Sequence, residues 1–422
     1  MVNATMLWPL VAAVVFFRIM VSTLFLLGAV QGAFLALALL MSKAGSRRAN
    51  IYLGCLTAVF TITLFDYYLD AEGVTDNAPW ITALLWPKEF LYGPLVYFYT
   101  RELTRPAVFP ISGTQLLHFL PAVVHLLLSW SLLSLDPDLQ VAILGGREDL
   151  SGGLWLWSLA LGDVEVALSV LHVGVYLCLC LGVLRAHRRL IRDNFSSTEH
   201  INLNWLARLI LGLLLVYLIW VADEAISGGV ATSEFISIAL GLSMVSLIYT
   251  MGFLGLRQPS IFSRPLKEYV QTVQTNEIAG VGTAHETSEL SDVGEVIERD
   301  KYQNSALDQS GSTALWQVLE NLMIRDKLYL DPQLSLPQLA DKLGVSVNYV
   351  SQAINQNRMN FFEYTNRYRV EEVKRLMDCD GESSLLDLGF QAGFNSKSAF
   401  YNAFRKYAEQ SPGQYRAGLK TR

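Results

Sequence analysis

The feature that most constrains this chain is a series of apolar runs, each about 20 residues long, that recurs to residue 256 and then stops. A helix rises 1.5 Å per residue, so about 20 residues cross the hydrocarbon layer of a bilayer. A soluble core does not need runs of that length with almost no charge. Charged residues make up only 17% of the chain, and most of them lie between the runs or after them. The runs predict membrane-spanning helices near 20–41, 51–69, 80–99, 115–135, 166–184, 205–222 and 235–256.

The loops orient these spans. Lys43, Arg47, Arg48, Arg101, Arg105, Arg185, Arg188, Arg189, Arg192, Arg257, Arg264 and Lys267 all fall on one side. The other side, 70–79, 136–153 and 223–234, carries Arg147 as its only basic residue, together with acids such as Asp70, Asp136, Glu148 and Glu224. Basic loops stay in the cytoplasm, so the pattern predicts seven spans with the C-terminus inside. Residues 1–19 stand apart, because Arg18 interrupts the apolar run and 5–41 would reach about 55 Å as one helix. They read as a leader, as an external or interfacial piece, or as codons upstream of a true start at Met20. An eighth span there would put the N-terminus inside and leave the rest unchanged.

Residues 257–312 are polar, with five basic and nine acidic side chains. They bury little apolar surface and read as a linker. From 313 to 330 the pattern turns helical, with Leu315, Val318, Leu319, Leu322 and Met323 on one stripe. That stripe packs either on the following domain or on a second copy of the chain.

Two helix-turn-helix units follow. In the first, Leu336, Leu339, Ala340 and Leu343 line a short helix. Gly344 permits positive φ in the turn, and a second helix from Ser346 buries Val350 and Ile354. In the second, Leu385, Leu388 and Ala392 precede Gly393, and a helix from Ser396 buries Ala399, Phe400 and Phe404. A helix near 361–378, about 27 Å long, joins the units and can set two reading helices on successive major-groove faces. The outward residues are Asn348, Tyr349, Gln352 and Asn355 in the first unit. In the second they are Asn395, Ser396, Lys397, Ser398, Tyr401 and Asn402, with Arg405 and Lys406 suited to phosphates. From Leu336 onward, twelve basic residues face nine acidic ones, which is too mild an excess to argue DNA binding by charge.

The stretches LSLPQLADKLGVSVNYVSQAINQ, FFEYTNRYRVEEVKRLM and LLDLGFQAGFNSKSAFYNAFRKYAEQSPGQYR resemble the AraC family of bacterial transcription regulators over 331–419. The resemblance implies a helical domain of 331–422 that binds double-stranded DNA, with Asn348, Tyr349, Gln352, Ser396, Lys397 and Asn402 facing it. Two residues depart from the family pattern. Gly389 stands where Ala is usual, at an expected helix cost of about 1 kcal/mol, and Asn402 stands where a basic residue is common. LGAVQGAFLALALL, FLYGPLVYFYTREL, LLHFLPAV and KYQNSALD resemble the subset of that family with an N-terminal multi-span domain. This implies a sensor in residues 20–256.

Ionisable residues inside spans are costly and point to function. Lys88, Glu89, His118, His125 and His172 are the candidates for sensing a small molecule or proton, set against the plainer reading that they satisfy one another or backbone carbonyls. Asp66 lies near the outer end of its span. Cys55, Cys178, Cys180 and Cys379 have neither disulfide nor zinc spacing. No phosphate-binding glycine loop, metal-spaced cluster or nucleotide site is present, so no enzyme, metal or cofactor is expected. The expectation is therefore an all-α chain: a polytopic helical membrane domain followed by a tandem helix-turn-helix domain. It would sit in the bacterial inner membrane with its DNA-binding part in the cytoplasm. Its partners would be double-stranded DNA, membrane lipid, a small-molecule ligand and a second copy as homodimer. A transporter with an appended regulatory domain is the alternative, and a plain membrane anchor a third.

Overall fold

The structure is a computed structural model. It describes residues 4–43, 46–78, 80–104, 113–132, 135–136, 138–140, 163–199, 201–227, 234–256, 309–380 and 382–420. Among them no β-strand forms, and one isolated bridge joins Phe195 and Ser335. The chain divides into two compact units. One is Met1–Leu184 with Leu203–Arg264, and the other is Arg185–Asn202 with Pro265–Arg422.

The first unit is helical. α1 (Ala4–Met41) and α2 (Arg47–Ala71) are followed by the short α3 (Val74–Asn77) and α4 (Trp80–Leu85). A 3-10 turn, Trp86–Lys88, leads to α5 (Glu89–Thr104), and a second, Gly113–Phe119, leads to α6 (Leu120–Leu132). Then come α7 (Asp163–Asn194), whose last turns belong to the other unit, α8 (Asn204–Ser227) and α9 (Glu234–Leu256). Phe16–Met41, Arg47–Ala71, Ala167–Asn194 and Asn204–Ala222 are long and apolar enough to cross a membrane, and Ile238–Phe253 is a shorter apolar helix.

Of the segments expected to span at 80–99 and 115–135, the described residues 80–99 and 115–132 are helical, each partly as a 3-10 turn. Pro87 lacks an N–H and fixes its own φ, so the helix tightens to a 3-10 turn at Trp86–Lys88. α1 runs unbroken through Arg18, whose Nε donates to the carbonyl of Ala71 at 2.8 Å. A cation on the last carbonyl of α2 satisfies an orphan acceptor at the negative end of that helix.

Leu53, Leu56, Phe60, Leu64, Tyr99, Leu206, Ile210 and Met251 form the core of this unit. Small residues let the helices approach: a Cβ at Gly32 of α1 would lie 2.4 Å from Thr61 Oγ1 of α2. The outer faces are apolar as well, with Phe34 70%, Trp130 67% and Leu215 61% exposed.

The second unit contains α10 (Gln309–Asp326), a 3-10 turn Leu328–Leu330, α11 (Leu336–Leu343) and α12 (Val347–Gln356). It continues through α13 (Phe361–Cys379), α14 (Leu385–Gln391), α15 (Lys397–Ala408) and α16 (Pro412–Lys420). Local signals set these boundaries. Ser335 and Gln338 form a capping box at α11, and Asn360 and Glu363 form one at α13. Ser384 and Ser396 accept backbone N–H bonds at the starts of α14 and α15.

The helix expected over 313–330 begins earlier, at Gln309, and stops at Asp326, because Lys327 takes a left-handed φ of 48°. Its stripe is used within the domain: Leu315, Leu319 and Met323 are buried against Leu336, Leu339, Ile354 and Phe361. A second cluster gathers Val370, Val373, Met377, Leu388, Phe394, Phe400 and Phe404. α13 serves both clusters and is the beam that joins the two helix-turn-helix units. The expected linker, 257–312, lies outside the described residues up to 308.

Candidate nucleic-acid interface and interior polar cluster

The first unit is α11, a turn, and α12. Gly344 ends α11 with φ 66°, as the turn requires, and Ser346 caps α12 by accepting the Tyr349 N–H at 3.3 Å. Val350, Ala353 and Ile354 face the core. On the other face Asn348 and Asn355 are exposed, and Gln352 is half-buried. Asn355 donates to Ser351 Oγ at 3.3 Å. Tyr349, expected on the same outward face, is half-buried. Its ring packs partly against the first core.

The second unit is α14, a turn, and α15. Gly393 has φ 92°, and a Cβ there would lie 2.5 Å from the Tyr329 carbonyl oxygen. Gly389 needs a physical correction. Its expected cost assumes room for a methyl group, yet a Cβ there would sit 2.8 Å from Cγ of Phe400. The absent side chain is what allows α14 to close on α15. Lys397, Ser398, Asn402 and Arg405 are exposed along α15, and Tyr401 is half-buried under Lys397 Nζ at 5.7 Å from its ring centre. Ser396 is engaged as the cap of α15, accepting from Ala399 N–H at 3.0 Å.

Two residues assigned outward are held by the protein itself. Lys406 pairs with Glu363 of α13 at 2.5 Å, and Asn395 donates its amide to Ser197 Oγ at 2.6 Å. Burial alone would raise the Glu363 carboxyl, but the Lys406 ammonium and the Asn360 N–H outweigh it and hold it below its ordinary value.

Residues that periodicity passed over do much of the work on α13. Arg369 is buried, and burial pulls its guanidinium down to about 10, so it stays charged at neutral pH. Glu372 accepts from Arg375 at 2.7 and 2.9 Å, from Lys327 at 3.3 Å and from the Tyr329 hydroxyl at 3.3 Å. The Arg375 hydrogen bond does most to hold its carboxyl below the usual range. The four-residue spacing of Thr365, Arg369 and Val373 marks Arg369 as inward-facing. Its charge hides that signal from a search for apolar stripes.

In the first unit of the chain, the five candidate sensing residues fall in three places. Lys88 Nζ meets Asp66 Oδ2 at 2.8 Å, so its partner is the acid of the preceding span. Glu89 lines a cavity of about 90 Å³ with Tyr67, Tyr92 and Tyr217. The three histidines gather around two rings. His118 Nδ1 and the Tyr176 hydroxyl share a hydrogen bond of 2.6 Å, and His172 stacks edge-on to Tyr176 at 4.8 Å. Phe90 then lies 5.5 Å from His172 and 5.7 Å from His125. Among the described residues no group of three His, Cys, Asp or Glu could hold a metal ion.

Comparison with known proteins agrees with this geometry in the C-terminal region. The family of the helix-turn-helix domain matches residues 339–418. The melibiose operon regulatory protein of Escherichia coli (strain K12) is 35% identical over 89 residues, covering 20% of this chain and 28% of that protein. An uncharacterized HTH-type transcriptional regulator of Staphylococcus aureus (strain COL) is 29% identical over 91 residues, covering 21% of this chain and 12% of its own length. The chain thus spans less than a third of the curated relatives it matches. No solved structure matches it significantly. The C-terminal region is an AraC-type helix-turn-helix domain.

Proposed function

We propose that this chain is a membrane-anchored transcription regulator that reads specific double-stranded DNA and responds to a signal received in its membrane part. The observation that carries the DNA-binding reading is the pair of capped helices, α12 and α15. Each follows a glycine turn and presents polar side chains from one helical domain. α13, at 19 residues, is about 28 Å long, close to the spacing of successive major-groove faces. Asn348, Gln352 and Asn355 on α12, and Lys397, Ser398 and Asn402 on α15, are the assigned base-facing set, with Arg405 on a phosphate. The names of the two relatives support regulation of transcription.

The test uses the whole chain in detergent micelles and a randomised duplex pool. Enrichment of one sequence, with affinity that falls steeply with salt, supports the reading. Gln352→Ala then costs about 1–3 kcal/mol at one or two base positions. A uniform loss over all sequences assigns Gln352 to the backbone, and no enrichment sinks the DNA-binding reading.

The membrane part rests on the long apolar helices with their apolar outer faces and on the basic loops. They support the reading of a chain in the inner membrane, in contact with lipid, with residues 331–422 in the cytoplasm. Residues 20–256 are read as the sensor, and the cluster of His118, His125 and His172 around Phe90 and Tyr176 as its interior polar site for a small ligand. Target-gene expression in cells carrying His172→Phe checks this. A response identical to that of the unaltered chain removes the cluster from signalling. A second copy of the chain as partner would pair the DNA-binding domains on a two-part operator.

A further inference from the structure

The turn 195–202 lies between α7 and α8 in sequence, yet it belongs to the compact unit of the helix-turn-helix domain. Its docking is specific. Ser196 is 1% exposed. Its N–H donates to the Leu334 carbonyl at 3.1 Å, and Phe195 bridges Ser335 at the start of α11. Its own carbonyl accepts from Arg369 Nη1 at 2.9 Å and from Asn366 Nδ2 at 3.3 Å, and its Oγ accepts from Arg369 Nη2 at 3.0 Å. The Ser197 hydroxyl accepts from Asn395 and donates to Glu199.

These contacts reach three places in the domain: the entry to α11, the middle of α13 and the entry to α15, the same places on which the 3-10 turn Leu328–Leu330 and the residues after it pack. The two apolar clusters of the domain are separate, so the setting of one reading helix against the other depends on α13 and on whatever braces it. Arg369 is central to that brace. Its other bonds go to the Tyr329 and Asp331 carbonyls, both at 2.7 Å, and to Asn366 Oδ1 at 3.4 Å. Among the described residues no carboxylate forms an ion pair with it, so Ser196 supplies two of the oxygens that compensate a buried charge. A third bond ties up Asn395, one residue before the cap of α15.

We propose that the turn 195–202 is a regulatory strap. It holds the two helix-turn-helix units at one setting and keeps Asn395 from DNA until it is released. A change in α7 and α8 then reaches the reading surface through eight residues rather than through the chain between α9 and α10. The inference rests on the DNA-binding reading above.

The test uses the full chain in micelles, with Cys178 and Cys379 changed to Ser. Ser197→Cys and Asn395→Cys are joined by a short bis-methanethiosulfonate reagent that reduction removes. The probe is the duplex enriched by the unaltered chain. The bridge is expected to form readily without DNA, and the bridged chain to bind the duplex at least fivefold more weakly than the same chain after reduction. Comparing one protein before and after reduction removes any folding effect of the substitutions. Ser197→Ala, which leaves Asn395 in place, should bind at least twofold tighter than the unaltered chain. Failure of the bridge to form, a change of less than fivefold on reduction, tighter binding by the bridged form, or no gain from Ser197→Ala each overturns the strap. An unaltered chain that binds no duplex, beside a bridge that forms, defeats the DNA-binding reading instead and takes the regulatory role with it.

Discussion

At the scale of single residues, Gly389 shows how a local rule can invert. Helix propensity alone favours Ala there by about 1 kcal/mol. The Phe400 ring would sit 2.8 Å from the new Cβ, and overpacking of that kind costs about 1–3 kcal/mol. Gly389→Ala is therefore expected to lower the stability of the C-terminal unit, and Phe400→Leu in the same chain to return part of it. Hydrogen exchange of the α14 and α15 amides measures both. Glu372 carries a prediction in pH. Its carboxyl is held below the ordinary 4.5 mainly by Arg375, so folding gains its contribution fully above that value. The contribution is lost as pH falls through the depressed folded value. Glu372→Gln should flatten the dependence of stability on pH below 4.5, the ordinary value, and leave the slope at neutral pH unchanged; an unaltered acid limb in denaturant titrations would contradict this.

At the scale of elements, α10 decides between two readings that its sequence left open. Leu315, Leu319 and Met323 are spent on the core shared with α11, α12 and α13. Leu319→Ala should thus cost about 2–5 kcal/mol of domain stability by opening a cavity. Sedimentation should show no change in association, whereas loss of a dimer without loss of stability would return the stripe to an intermolecular role. The starts of α12 and α15 at Ser346 and Ser396 and the positive-φ glycines of both turns were legible in advance. Each depends on residues within four positions of one another. The interruption at Trp86–Lys88 was less legible, since a proline inside an apolar run leaves the hydropathy of the run intact.

At the scale of the whole molecule, the alternation of basic and acidic loops makes a topology prediction. Reporter fusions after residues 190 and 260 should read cytoplasm, and fusions near 75, 145 and 228 the external side. A cytoplasmic signal at 145 would overturn the count of seven spans. The prediction at 190 also bears on the strap, since a turn that touches a DNA-binding domain must lie on the cytoplasmic side. Arg185, Arg188, Arg189 and Arg192, just before the turn, satisfy that requirement.

The helical class, the apolar segments, the side on which charge collects and the two helix-turn-helix units are all written in the spacing of residues along a few turns of chain. The sequence also singled out Lys88, Glu89, His118, His125 and His172, since a charge or imidazole in an apolar run stands out without any structure. Their partners come from the folded arrangement of elements. Lys88 meets Asp66 from 22 positions away, and Lys406 meets Glu363 from 43. Asn395 meets Ser197 from 198, and Arg369 meets Ser196 from 173. Hydrogen bonds and ion pairs at such separations depend on how whole elements pack, and no periodicity in the chain records which distant oxygen will stand 3 Å from a buried guanidinium.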